Sequence, residues 1–249
     1  MLFEKKKPRI LTVNDFEIDS DFSKIPIAYD DSNNVVYWDT NKNRHILLMG
    51  GTGSGKTWMG RNIVDGLTRF NSNNILYAVD FTRVEWNIYR TAFVRVLCFP
   101  VEIPDFVEDI KRRAKPLIDT YTKQNLTPNI FIVIEDVGEF LFDDYHKAFW
   151  TDILNLCREF PNIHLVLLGQ GFWGNTITDE ILQDSLPVML GNIREEDQIK
   201  LFSQKYDITI NPTNKGEGCI KQGEILKKIH SFGNTDTFEN WFFRGMKKK

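Results

Sequence analysis

At 249 residues the chain can fold as one large α/β domain or as two small ones. Hydrophobic residues make up 42% and charged residues 26%, an ordinary globular balance that excludes a collagen-like or wholly disordered chain. The formal net charge of -3 leaves no global basic excess, so any nucleic-acid contact must come from a local patch or an assembled channel.

Residues 1–24 are mostly polar and charged and read as a lead-in segment. The basic ends, Lys5-Lys6-Lys7-Pro8-Arg9 and Lys247-Lys248-Lys249, read as solvated tails or appended ends. Ile25 to Tyr29, the turn Asp30-Asp31-Ser32-Asn33-Asn34 and Val35 to Trp38 predict strand, turn, strand. His45-Ile46-Leu47-Leu48-Met49 predicts a buried strand. It leads directly into Gly50-Gly51-Thr52-Gly53-Ser54-Gly55-Lys56-Thr57, a complete G-x-x-x-x-G-K-[ST] loop. Apolar positions Ile63, Val64 and Leu67 then carry a helix to about Phe70.

Further strands are expected at 75–80, 93–98, 130–134, 163–168 and 187–190. Helices are expected at about 104–124, where Pro116 would kink or split the element, at 144–159 and at 195–202. A hairpin closes the pattern, with strands at 218–221 and 224–229 around a Gln222-Gly223 turn. Continuous apolar strands alternating with helices imply an α/β fold with a mostly parallel sheet covered on both faces, and small β-hairpins at its N- and C-terminal ends. One domain is expected at 25–230, followed by a tail at 231–249.

Cys98, Cys157 and Cys219 are odd in number and far apart, and read as core thiols of a reducing compartment. No apolar run reaches the length of a membrane span, and the N-terminus lacks a signal-peptide core. The expected location is cytoplasmic, with recruitment to a membrane only through a partner or as part of a longer membrane protein.

The loop at 50–57 carries the chemistry. Its glycines allow the backbone to wrap a phosphate chain with N–H groups pointing inward. Lys56 supplies a point charge for the β- and γ-phosphates of a nucleotide. Thr57 supplies a hydroxyl for Mg²⁺, and the following helix turns its positive end to the anion. Hydrolysis needs an acid at the end of a neighbouring strand. Glu135 and Asp136 follow the apolar run 130–134, at the edge where ligands of open α/β sheets sit. One carboxylate can hold the Mg²⁺ hydration shell, and the next can orient or deprotonate the attacking water. Gln170, after strand 163–168, offers an amide to sense the γ-phosphate; the alternative is a loop glutamine without a catalytic role. Lys111-Arg112-Arg113 is basic, and a solvated helix face accounts for it.

The order of these elements resembles the FtsK/SpoIIIE branch of the FtsK–HerA motor ATPases, from about Ile25 to Ile229. Ile25-Pro26-Ile27-Ala28 together with 45–57 resembles the family's "IPIxxG…HLLxAGxTGSGKS". Val79-Asp80-Phe81-Thr82-Arg83-Val84-Glu85-Trp86 is similar to its "IDPKRVEL". Residues 163–170 are similar to "IHLVLATQ", and Lys215-Gly216-Glu217-Gly218 to a glycine-rich segment before the closing strands. The resemblance implies a RecA-like P-loop NTPase core that assembles as a homo-oligomer, a hexameric ring, with ATP between subunits and cargo in a central channel. It places Lys56 and Thr57 on phosphate and Mg²⁺, and Gln170 as sensor. Glu135-Asp136-Val137-Gly138-Glu139 is similar to the family's "DELAD", which puts Glu135 at the Mg²⁺-associated place and Asp136 at the water-activating place. Arg158 resembles the arginine that reaches the neighbouring subunit's ATP; a surface arginine at a helix end is the alternative.

The chain departs from the family in four places. The acidic order is Glu then Asp, and Thr82 stands where lysine is usual. Gly171-Phe172-Trp173 replaces an "RP" after Gln170, and the family's trans-acting lysine has no obvious counterpart near Glu195-Glu196. Slow or assembly-dependent turnover is expected. The implied function is a motor moving duplex DNA for a mobile element, since Tyr37-Trp38-Asp39 resembles mobile-element transfer proteins. The alternatives are the last FtsK-like domain of a type VII secretion EssC/EccC protein, acting with a membrane complex and its protein substrates, and a viral genome-packaging ATPase.

Overall fold

The computed structural model describes residues 23–70, 73–121, 128–138, 144–171, 177–207, 210 and 215–232. The lead-in up to residue 22, Glu139, Phe172-Trp173, the expected helix end at 122–124, both basic ends and the tail beyond 232 lie outside the described residues.

The elements run β1 (Lys24–Asp30), β2 (Val35–Asp39), β3 (His45–Gly50), α1 (Lys56–Phe70), β4 (Ile75–Val79), β5 (Arg95–Leu97), α2 (Ile103–Tyr121) and β6 (Ile130–Ile134). They continue with α3 (Asp144–Glu159), β7 (Ile163–Gly169), α4 (Asp179–Asp184), β8 (Ser185–Leu190), α5 (Glu195–Phe202), β9 (Glu217–Gln222) and β10 (Ile225–Ser231). The ten strands among the described residues share one sheet, in the order β2-β1-β10-β9-β8-β3-β7-β6-β4-β5. From β8 to β5 every pairing is parallel. From β8 back to β2 every pairing is antiparallel. The two terminal hairpins therefore extend the central sheet rather than standing beside it.

Strands β3, β6 and β7 are buried at every position, as the centre of a two-sided sheet requires. Their residues alternate between two cores. Leu47, Met49 and Ile132 face the side covered by Phe106 and Ile110 of α2 and Phe149 and Ile153 of α3. Ile46, Leu48 and Val133 face the side covered by Met59, Ile63 and Leu67 of α1, with Trp38 and Trp86. Helices thus lie on both faces.

Several boundaries differ from expectation. α2 runs through Pro116 without a break. That proline is exposed, and the apolar stripe Phe106, Ile110 and Ala114 holds the helix to the sheet despite one lost backbone bond. β5 is shorter than expected because Phe93 ends a 3₁₀ segment (Asn87–Ala92) and only 95–97 pair with β4. The six-residue α4, capped by the Thr178 side chain accepting from the Ile181 N–H, is too short to show a helical period.

Register brings the strand ends together. Met49 lies beside Gly169, Leu167 beside Ile134, and Ile134 beside Val79. The loop at 50–57, Gln170, Glu135-Asp136 and Asp80 consequently emerge on one edge of the sheet, at the carboxyl ends of β3, β7, β6 and β4.

Candidate functional site

The loop between β3 and α1 is shaped by backbone that favours glycine. Gly55 has φ 102°, in the left-handed region, and a Cβ there would sit 3.0 Å from the Gly216 nitrogen. α1 then begins at Lys56, so its first N–H groups open toward the loop. Lys56 is buried, with Nζ 3.3 Å from the Gly51 carbonyl, folded back along the loop. Burial lowers the Lys56 pKa, while the carboxylates of Asp136, Glu135 and Glu85 act in the opposite direction.

Glu135 is the central acid. Its Oε1 accepts from the Thr57 hydroxyl at 3.1 Å, and its Oε2 accepts from the Trp86 indole N–H at 2.9 Å. The side chain is buried, and burial raises its pKa to about 7; the Asp136 and Glu85 charges push the same way, while the bonds from Trp86 and Thr57 oppose it. Asp136, next in the chain, adopts φ 49°. Aspartate is among the residues that tolerate this left-handed backbone best, and here it turns the two adjacent carboxylates to different neighbours.

A second line of contacts lies beside the first. The Thr52 hydroxyl donates to Gln170 Oε1 at 3.2 Å, and Gln170 Nε2 stands 3.5 Å from Asp136 Oδ1. The Gln170 amide therefore connects the phosphate loop to the acid at the end of β6.

Asp80, fully buried at the end of β4, organises the turn that follows. It accepts from the Thr82 hydroxyl at 2.6 Å, the Arg83 N–H at 2.9 Å and the Trp86 N–H at 2.8 Å. Sequence reasoning singled out the segment 79–86 but assigned no role to Trp86. The one available signal was a tryptophan where the family motif ends in leucine.

Glu135, Asp136, Gln170 and all of 50–57 thus converge, whereas Arg158 does not join them. It lies in the last turn of α3, just before β7 begins, at the opposite edge of the sheet. The seven residues of β7 span roughly 20 Å at about 3.3 Å each. Arg158 is exposed and pairs with Glu180, Nη2 to Oε2 at 2.6 Å. The basic run on α2 is partly neutralised: Arg112 and Arg113 both pair with Asp109, which also accepts from the Tyr77 hydroxyl at 2.6 Å.

The donors fit Mg²⁺ with a nucleotide. Thr57 and Glu135 offer one hydroxyl and one carboxylate oxygen side by side. Among the described residues no group of three or more His, Cys, Asp and Glu side chains could hold a metal by itself. A hard cation that keeps most of its shell as water and phosphate oxygen suits such a pair. No helix among the described residues is long and apolar enough to cross a membrane.

No protein-family model matches the chain, and no curated protein matches it. Solved structures do. The pCW3 conjugation coupling protein TcpA, in its monomer form with ATPγS, is similar at TM-score 0.72 and 23% identity, over 96% of this chain and 75% of that one. EssC (ATPases 2 and 3) from Geobacillus thermodenitrificans is similar at TM-score 0.73 and 16% identity, over 91% of this chain and 45% of that one. Thermomonospora curvata EccC (ATPases 2 and 3), in complex with a signal sequence peptide, is similar at TM-score 0.68 and 18% identity, over 92% and 44%. The chain spans less than half the length of the EccC and EssC structures. Its structural neighbours are FtsK/SpoIIIE-type, RecA-like P-loop ATPases, and it shares their fold.

Proposed function

We propose that the chain binds ATP with Mg²⁺ and hydrolyses it as an FtsK/SpoIIIE-type motor, moving duplex DNA during transfer of a mobile element. The observation that carries this reading is the convergence of Thr57 on Glu135 at 3.1 Å, beside the Thr52–Gln170–Asp136 line. In this reading the loop N–H groups and Lys56 bind the phosphate chain. Thr57 and Glu135 would hold Mg²⁺, which would supply charge neutralisation for the phosphate chain. Asp136 orients the attacking water and takes its proton, and Gln170 reads the γ-phosphate and reports it to Thr52 and Asp136.

The distance of Arg158 from its own loop supports action in trans, in a ring that we take to be hexameric. Each site is then finished by a neighbour's arginine. The ATPase domain is assigned to 25–230, with 1–24 and 231–249 as flanking segments, and the motor is placed in the cytoplasm.

DNA as cargo is favoured by TcpA, a conjugation coupling protein that is matched over larger shares of both chains than EccC or EssC. The likeness to those secretion ATPases supports the second reading, a module of a protein-secretion machine. ATPase rate measured with and without duplex DNA, over a salt series, separates the two. DNA stimulation with binding that weakens steeply with salt supports the translocase. An unstimulated rate with no salt-sensitive DNA binding at any protein concentration sinks it and leaves the secretion module.

A further inference from the structure

We propose that Trp86 is a positioning residue for Glu135, its indole N–H fixing the carboxylate so that Oε1 is presented to Thr57. The inference rests on the nucleotide reading above and concerns how this chain holds its own acid.

An indole N–H can only donate. Its bond of 2.9 Å to Oε2 therefore commits that oxygen to accepting, and leaves Oε1, 3.1 Å from the Thr57 hydroxyl, as the oxygen turned to the loop. With one donor on each oxygen, the plane of the carboxylate is set. Trp86 is fully buried, so its indole N–H has no water to replace this bond, and Glu135 is only 8% exposed.

The indole is itself held on several sides. Its backbone N–H is bound by buried Asp80 at 2.8 Å. Phe93 and Tyr89 meet its ring edge-on, with centroids at 5.7 and 6.4 Å. α1 closes over it at Gly60, where a Cβ would come within 3.3 Å of the ring. The neighbouring Glu85 is tied to Arg61 at 2.7 Å, and the Arg61 guanidinium lies 4.7 Å from the centre of the Tyr89 ring. A buried indole N–H must find an acceptor, and here the acceptor is the acid beside Thr57. Here the turn 80–86, fastened by Asp80, delivers a rigid donor from β4 to the acid of β6.

Without that donor, Oε2 is left buried and unpaired, and the carboxylate is free to rotate away from Thr57. Loss of such a supporting bond typically weakens metal binding by about 10- to 100-fold. Trp86→Phe keeps an aromatic ring and removes the N–H. The affinity of a fluorescent ATP analogue is to be titrated with Mg²⁺ and with EDTA, for the wild type, Trp86→Phe, Glu135→Gln and the double variant. Trp86→Phe is expected to lose about tenfold of the Mg²⁺-dependent strengthening. Its affinity in EDTA should stay at the wild-type value. In the Glu135→Gln background it should add nothing. An unchanged Mg²⁺ dependence overturns the proposal, and so does an equal loss in both backgrounds.

A second measurement leaves Trp86 in place, in case its replacement does not fold. In the ¹⁵N-labelled protein, one of the six tryptophan indole resonances should move on Glu135→Gln and again when the wild type binds Mg²⁺-ATPγS. Indole resonances unmoved in both comparisons refute the bond. Failure of the wild type to bind any nucleotide is a different result. It removes the nucleotide reading and the positioning role with it, while a shift on Glu135→Gln would still report the Trp86–Glu135 bond.

Discussion

The backbone N–H of Gly216 donates to the carbonyl of Ser54 at 2.8 Å, tying the segment before β9 to the phosphate loop. Gly216 in turn accepts from the Ser231 N–H at 2.8 Å, so the last strand of the sheet also braces the loop. The position has φ 82°, and a Cβ would lie 2.9 Å from the Ser231 hydroxyl. Gly216→Ala is therefore expected to cost about 1–2 kcal/mol for the left-handed backbone, with a further contribution from the contact. Chemical denaturation measures that loss, and titration of an ATP analogue should show weaker binding from the displaced loop. A variant as stable and as tightly binding as the wild type would show that the brace is dispensable.

Lys56 and Asp136 are expected to separate binding from chemistry. Lys56→Ala removes a charge-assisted contact worth about 1.5–3 kcal/mol, which is roughly 10- to 150-fold in nucleotide affinity. Asp136→Asn keeps the shape and removes the carboxylate proposed to take the proton. It should bind ATP at close to the wild-type affinity and lose roughly 10²- to 10⁴-fold in turnover. Equilibrium binding and steady-state ATPase rates, run on the same preparations, check both. Unchanged turnover in Asp136→Asn would refute the role assigned to Asp136.

Much of the site was legible because it is local in sequence. The loop 50–57 is one contiguous string, and Glu135-Asp136 follows an uninterrupted apolar strand whose direction fixes the edge it exits. Strand identity came from apolar runs at β3, β6 and β7, which the structure buries at every position. The spatial order β3-β7-β6-β4 depends on pairings between distant segments, and no period in the chain reports them. The same holds for Trp86 and Glu135, which follow different strands and meet only through that order. α4 and the 3₁₀ turns at Asn87–Ala92 and Pro100–Glu102 are too short to carry a pattern. Arg158 was visible as an arginine ending a helix, but its placement at the opposite edge from the loop required the sheet.

That placement gives a test by complementation. Arg158 and its partner Glu180 are both exposed, so Arg158→Ala should fold like the wild type. If the proposed ring forms, one built from it alone should turn over ATP slowly, since an arginine acting in trans is worth roughly 10³- to 10⁵-fold in rate. Lys56→Ala protein should also be slow when ATP is held well below its weakened affinity. Mixed rings pair an intact loop from one variant with an intact arginine from the other, and should recover part of the rate. A mixture no faster than the sum of its parents, or a monomer at the full wild-type rate, contradicts action in trans.

Acid stability reports three buried groups with opposing signs. Burial lowers the pKa of His45 from 6.5 to about 3 and that of His164 from 6.5 to about 4. His45 accepts from the Leu165 N–H at 3.0 Å, and His164 Nδ1 lies 2.8 Å from the Arg44 carbonyl, both within the sheet edge opposite the loop. Below pH 6.5 the unfolded chain takes up these two protons and the folded chain does not, so each histidine removes about 1.4 kcal/mol of stability per pH unit. Glu135 works the other way. Its pKa is raised from 4.5 to about 7, so between those values the folded chain holds a proton that the unfolded chain lacks. It therefore adds stability at the same rate as the pH falls. From pH 6.5 to 4.5 these three groups together are expected to remove about 3 kcal/mol from the nucleotide-free protein. Glu135→Gln removes the opposing group and should roughly double that loss, to about 5–6 kcal/mol. Urea denaturation at pH 6.5, 5.5 and 4.5 compares the two slopes. A wild-type stability that rises toward pH 4.5 would mean that the two histidines are protonated in the folded chain. Equal slopes in wild type and Glu135→Gln would mean that Glu135 is ionised throughout, with the Trp86 and Thr57 bonds outweighing its burial.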